Sequence, residues 1–227
     1  MNTLEDSARV PTSSWLERWS PLGGLLFVAL ALFVSLSPSG EGPGDTAEEV
    51  VSYANEKSGW NDLALIFALL SLILLGWFVS GLYARLRRIE AGGWSVMALI
   101  GGVAFTVLFF TAITIWTAPL TELDNESASV QTAQAETYLA IDDVGWVLLG
   151  GSGIGAGLMI IGASLAALRA TLVPAWAGWI GVALGVIALA TIAFVGIFAW
   201  LAWLLIASVG MLIPSVRRAS KPAATAP

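Results

Sequence analysis

The chain has no cysteine and no histidine. Structural disulfides, thiol chemistry, and metal or haem ligation through either residue are thereby excluded. The usual acid–base group near neutral pH goes with histidine. Charge is scarce too: 11% of the 227 residues are Asp, Glu, Lys or Arg, where a soluble domain carries about 25%. The net charge of −6 offers no basic stripe of the kind nucleic acid requires. No cofactor and no nucleic-acid partner is expected.

What the chain has instead is long apolar runs. The 47 residues from Ala170 to Val216 contain no charged side chain. At about 1.5 Å per helical residue, such a stretch is roughly twice the ~30 Å core of a bilayer, so it reads as two membrane helices back to back. The same pattern gives six spans, at about 22–37, 62–84, 93–117, 144–168, 174–191 and 194–213. The predicted fold class is all-α, a polytopic six-transmembrane-helix bundle with short helices in two outer loops. A cytoplasmic tail is expected over 1–21, the membrane domain over 22–213 and a disordered cytoplasmic tail over 214–227. Arg18, the apolar run from Leu22 and the small Ser35 and Ser37 loosely fit a signal peptide, but Pro38 directly afterwards is a poor cleavage context. The first run is therefore read as a retained span.

Loop charges set the orientation. With both termini cytoplasmic, all of the ten Lys and Arg residues except Lys57 face inward, as the positive-inside rule demands. Most acids lie on the other side. Trp15, Trp19, Trp94, Trp176 and Trp179 then fall at the inner interface, and Trp60, Trp116 and Trp146 at the outer one, depths that amphipathic indoles prefer. The expected location is the bacterial inner membrane, with the lipid bilayer as the first partner.

The two outer segments, 38–61 and 118–143, are longer than simple turns. In the first, Thr46 and Glu49 fit a capping box opening a short helix. In the second, Val130, Ala133, Thr137, Tyr138 and Ile141 can form one face of a helix running into the fourth span. The turn near Thr191 to Gly196 has almost no polar side chain, so the two outer helices are expected to fold over it as a cap. An internal similarity also runs through the chain. Tyr53 with Gly59-Trp60 matches Tyr138 with Gly145-Trp146, and Arg85 with Gly93-Trp94 matches Arg169 with Gly178-Trp179, at offsets of 84 to 86 residues. Duplication about the membrane normal explains it, and so do the general rules for inward membrane hairpins.

Few motifs carry chemistry. Gly151 to Gly157 looks like a dinucleotide loop, but it lies in an apolar span with no βαβ unit around it. The spacings Gly151/Gly155, Gly153/Gly157 and Gly181/Gly185 fit close helix packing, within the chain or between two copies in a homodimer. Asp142 and Asp143 suit a helix N-terminus; the functional alternative is a cation or amine site shared with Asp62 and Glu136. Glu122, Asp124 and Glu126 begin like a calcium loop, but Ser127 stands where glycine is required and Ala133 where the closing Glu should be. Arg85, Arg87 and Arg88 determine topology and could touch anionic lipid. No Asp, Glu, Lys or Arg lies well inside a span. The groups at depth are hydroxyls such as Ser71, Thr106, Thr111, Thr114, Ser152 and Ser164, which commonly bond their own backbone.

Three stretches, Ala47 to Tyr53, Leu82 to Arg88 and Val173 to Trp179, resemble a family of small six-span bacterial membrane proteins carrying a domain of unknown function. The last is similar to that family's Leu-Pro-x-Trp-Leu-Gly-Trp pattern, with Ala177 in place of Leu. The resemblance implies the six-helix fold and no activity. The expected function is non-catalytic: an accessory or binding protein engaging a membrane protein partner, lipid or apolar ligand. The alternative is a small transporter or channel for a neutral or lipophilic solute. An enzyme is not expected.

Overall fold

A computed structural model describes residues 15–36, 43–89, 92–123 and 127–219. Among these the chain is all helix: α1 (Trp15–Leu36), α2 (Ala47–Glu56), α3 (Ser58–Ile89), α4 (Trp94–Glu122), α5 (Ala128–Arg169), α6 (Ala175–Ala188) and α7 (Val195–Ala219), with a 3-10 turn at Thr191–Ala193. Four helices, α3, α4, α5 and α7, are long and apolar enough to cross a membrane, while α6 is a shorter apolar helix. Each of the six apolar runs lies on its own helix. The short α2 stands apart, opened by the Thr46–Glu49 capping box. The helical residues of the second outer segment are continuous with α5, because nothing between Ile141 and Val144 breaks the helix.

Both ends of the bundle extend past the apolar runs. α1 starts at Trp15, and α7 continues to Ala219 where a disordered tail was expected from 214. Helical hydrogen bonding does not stop where hydropathy does. Glu17 in the first turn of α1 suits the helix dipole. The tail residues 1–14 and 220–227, and Asp124 and Glu126 of the calcium-like stretch, lie outside the described residues.

Six helices form a closed ring in chain order. α1 packs on α3, α3 on α4, α4 on α5, α5 on α6, α6 on α7, and α7 returns to α1. The α4–α5 pairing is the most extensive. Glycine makes it possible: a β-carbon at Gly155 would overlap the Phe105 amide, and one at Gly101 would overlap the Met159 amide. The backbones touch with no side chain between them. The other face of α5 uses Gly153 against Thr191 and Gly157 against Leu189 and the Gly185 carbonyl, while Gly181 accommodates Ser164. Gly151 meets only Leu108, at ordinary contact distance. The spacing Gly151/Gly155 is therefore not the one that packs; Gly155 works with Gly162, two turns on, whose β-carbon would crowd Ala98 and the Trp94 carbonyl.

Aromatic rings fill the centre of the ring of helices. Phe27, Phe105, Phe109 and Trp200 are buried and mutually in contact, with centroids 5.1 to 6.5 Å apart. Five of the deep hydroxyls are bonded to their own helices. Ser71 donates to the Ala68 carbonyl, Thr106 to Gly102, Thr111 to Val107, Thr114 to Phe110 and Ser152 to Leu149.

Candidate functional site

The two ends of the bundle differ in charge because the loops do. At one end α1 begins, α3 and α5 finish, and α7 approaches its last turns. Arg85 holds three of these helices together. Its guanidinium donates to the carbonyls of Met211 (2.9 Å), Glu17 (3.0 Å) and Arg18 (3.3 Å). The Glu17 carbonyl needs this donor because Pro21, four residues on, has no N–H to give it. The Ser20 hydroxyl is its second donor, at 3.0 Å. Arg88 pairs with the Glu17 carboxylate, and the Arg169 guanidinium lies 5.2 Å from the Trp94 ring centroid. Of the three arginines proposed for lipid, Arg85 is thus committed to backbone carbonyls, while Arg87 and Arg88 are exposed.

The opposite end is acidic and carries a cavity of about 830 Å³. Four helices supply its wall. α3 contributes Trp60, Asn61 and Ala64; α4 contributes Trp116, Thr117 and Leu120; α5 contributes Tyr138, Leu139, Asp142 and Trp146; and α2 adds Tyr53, with Pro43 to Asp45 before it. On α5, Tyr138, Asp142 and Trp146 recur every four residues and so share one helix face. Val50 and Ala54 of α2 pack with Leu120, Leu123, Ala135 and Tyr138 in a small apolar cluster, which holds α2 against the cavity.

Gly145 lets the wall form, since a β-carbon there would overlap the Trp116 indole. Trp116 lies across it, its Nε1 3.4 Å from the Asp142 carbonyl oxygen. The Trp116 and Trp146 rings then meet at 4.8 Å between centroids and 60° between planes, forming a corner. Burial raises the Tyr53 hydroxyl above its ordinary value, opposed by the nearby Lys57 charge. Asn61 is 3% exposed, and its Nδ2 has no hydrogen-bond partner among the described residues.

The four proposed carboxylates are not brought together. Asp142 lines the cavity, while Asp62, Glu136 and Asp143 are exposed and do not. The reason is helical phase. Glu136 is two residues from Tyr138, about 200° around α5, and Asp62 is one residue, about 100°, from Asn61. Among the described residues no three or more of the acids form a metal-binding group. Asn61 was missed by sequence reasoning, although a lone amide beside Trp60 at the start of an apolar run was a usable signal. The internal similarity was a stronger one. Tyr53 and Tyr138, and Trp60 and Trp146, are its matched pairs, and all four line this one cavity.

The cap expected over the apolar turn is not formed: α2 packs on α5 and α3, and Ile192, Phe194 and Val195 are exposed. The turn lies instead against α5. Thr191 abuts Gly153, and the Phe194 ring is 5.3 Å from that of Trp146. Phe194 takes a left-handed backbone (φ 61°), and its N–H bonds the Thr191 carbonyl at 2.9 Å. No known protein family, curated protein or solved structure matches this chain.

Proposed function

We propose that this is a six-span inner-membrane protein, N-in and C-in, that works by binding a ligand in the cavity at its outer, acidic end. The observation that carries the reading is the cavity itself. Its volume, about 830 Å³, falls in the ~300–1,000 Å³ range of small-molecule sites, and aromatic walls with a few polar groups are typical of them.

Helix geometry supports the placement. Counting residues at about 1.5 Å each, Asn61 lies roughly 36 Å along α3 from Arg85, Trp116 roughly 33 Å along α4 from Trp94, and Trp146 roughly 35 Å along α5 from Arg169. Three helices put the cavity floor just past a ~30 Å hydrocarbon core measured from the basic end. On the same scale Gly150, which contacts Ile192, is about 28 Å from Arg169. The bare turn then sits at the edge of the hydrocarbon, where lipid covers Ile192 and Phe194 and no protein cap is needed. Basic residues inward and acids outward satisfy the positive-inside rule.

A second reading, passage of a neutral solute, is favoured by the internal similarity, whose two halves meet at one cavity as parallel-repeat transporters arrange theirs. The buried aromatic cluster of Phe27, Phe105, Phe109 and Trp200 weighs against it, since it fills the path below.

The test is gentle purification from the native membrane followed by mass spectrometry, for wild type and Ala64→Trp, which fills the cavity. A molecule retained by wild type and absent from the variant is expected. Identical spectra from two folded proteins would sink the proposal.

A further inference from the structure

The geometry points to an organic cation as the ligand: a quaternary or protonated amine that also carries a hydrogen-bond acceptor. This rests on the binding reading above and narrows it to a chemical class.

Three observations converge. The first is the indole corner of Trp116 and Trp146, with Trp60 on α3 also lining the cavity. Indole faces are the best cation–π surfaces, and cages of them are how proteins hold quaternary ammonium groups. The second is charge. Asp142 lies one helical turn from Trp146 on the same face and lines the cavity, and its carboxylate has no ion-pair partner among the described residues. Lys57, at the C-terminal end of α2, pairs with Glu56 at 3.0 Å. The surrounding acids, including Asp45 and Asp62, would draw cations from solution toward the opening. The third is Asn61. A buried amide donor without a partner is costly, and this one belongs to the cavity wall with its Nδ2 unspent. An anion would meet Asp142, and a hydrocarbon would leave both polar groups unsatisfied. A cation with an ester, carbonyl or hydroxyl oxygen answers all three features.

Two probes separate the parts. Benzyltrimethylammonium has the charge but no acceptor; benzoylcholine has both. Each is titrated into the full chain in neutral-lipid nanodiscs and followed by tryptophan fluorescence, beside the uncharged isostere neopentylbenzene. Both cations are expected to bind saturably, at least tenfold tighter than the isostere. Asp142→Asn, nearly isosteric, should weaken both by tenfold or more. Trp146→Leu, at a partly exposed ring, should do the same. Asn61→Ala should weaken benzoylcholine three- to tenfold and leave benzyltrimethylammonium within twofold. Cation binding unchanged by Asp142→Asn, or matched by the isostere, would overturn the cation. If the isostere still saturates and Ala64→Trp abolishes it, the binding cavity stands and only its ligand class falls. If no probe gives a saturable signal sensitive to Ala64→Trp, both fail together.

Discussion

Replacing Arg85 should loosen one whole end of the bundle. Its guanidinium serves carbonyls on α1 and α7 from a position on α3, so it ties three helices, beside the Arg88–Glu17 pair that joins α3 to α1. Hydrogen bonds to a charged group contribute roughly 1.5–3 kcal/mol each. Two of the three are short, so Arg85→Ala should cost about 3 kcal/mol at the low end of that range. Arg85→Lys keeps the charge but not the fork, and should lose about half as much. Pro21 sharpens the test. In Pro21→Ala the restored N–H can serve the Glu17 carbonyl, so Arg85→Ala should cost about 1 kcal/mol less in that background. Unfolding in mixed micelles with rising SDS, followed by circular dichroism, measures wild type and the four variants. Equal losses in both backgrounds would show that the proline-freed carbonyl is not what Arg85 holds. A loss under about 0.5 kcal/mol would show the clasp contributes nothing.

Two further tests address packing and capping. Gly155→Leu should part α4 from α5 and destabilise by about 3 kcal/mol or more, through overpacking against backbone, whereas Gly76→Ala, with nothing within 4 Å, should be neutral or stabilising by up to about 1 kcal/mol; the same SDS titration reads both. Thr46→Ala should weaken α2 by about 1 kcal/mol, seen as faster hydrogen exchange of its amides. Hydrogen bonds from Thr46 and Asp45 hold the Glu49 carboxyl below its ordinary value of 4.5. The stabilisation it gives is therefore present above that pH and lost as pH falls through the lower folded value. Exchange in α2 that does not respond to acid in this way would refute the cap's role.

Much of the fold was legible because membrane rules act through single residues. Arg88 and Gly92 mark the end of α3, and Thr46 with Glu49 marks the start of α2, from local chemistry alone. The six apolar runs find their helices for the same reason. The site was less legible because it depends on the relative phase of four helices. Asp142 and Asp143 look alike in sequence, and only the face shared with Tyr138 and Trp146 separates them. Spacing identified glycines that pack, but not which partner each meets. Gly155 sits against Phe105 and Gly101 of another helix, and no pattern within α5 encodes that. Arg85 read as a topology signal, and its bond to the Glu17 carbonyl becomes visible only when Pro21 is placed beside it.

The joint at Lys57 has a consequence for how the site exchanges its contents. In one half of the internal similarity the helix is broken there into α2 and α3; in the other, α5 runs unbroken past Tyr138 to Arg169. α5 is therefore an unbroken wall of the cavity, and in the binding reading α2, joined to α3 through Lys57, would serve as a short flap. Val50 and Ala54, with the partly buried Ala47, Val51 and Tyr53, are the apolar contacts of that flap, and the burial of the first two alone is worth about 3 kcal/mol. A latch of at least that strength would stand open no more than roughly 0.6% of the time, since RT is about 0.59 kcal/mol. In the proposed binding reading a guest could leave for water by swinging the ten residues of α2, without the six packed helices parting. Residence time would then be set by the flap, and release would need no change in the membrane-embedded part.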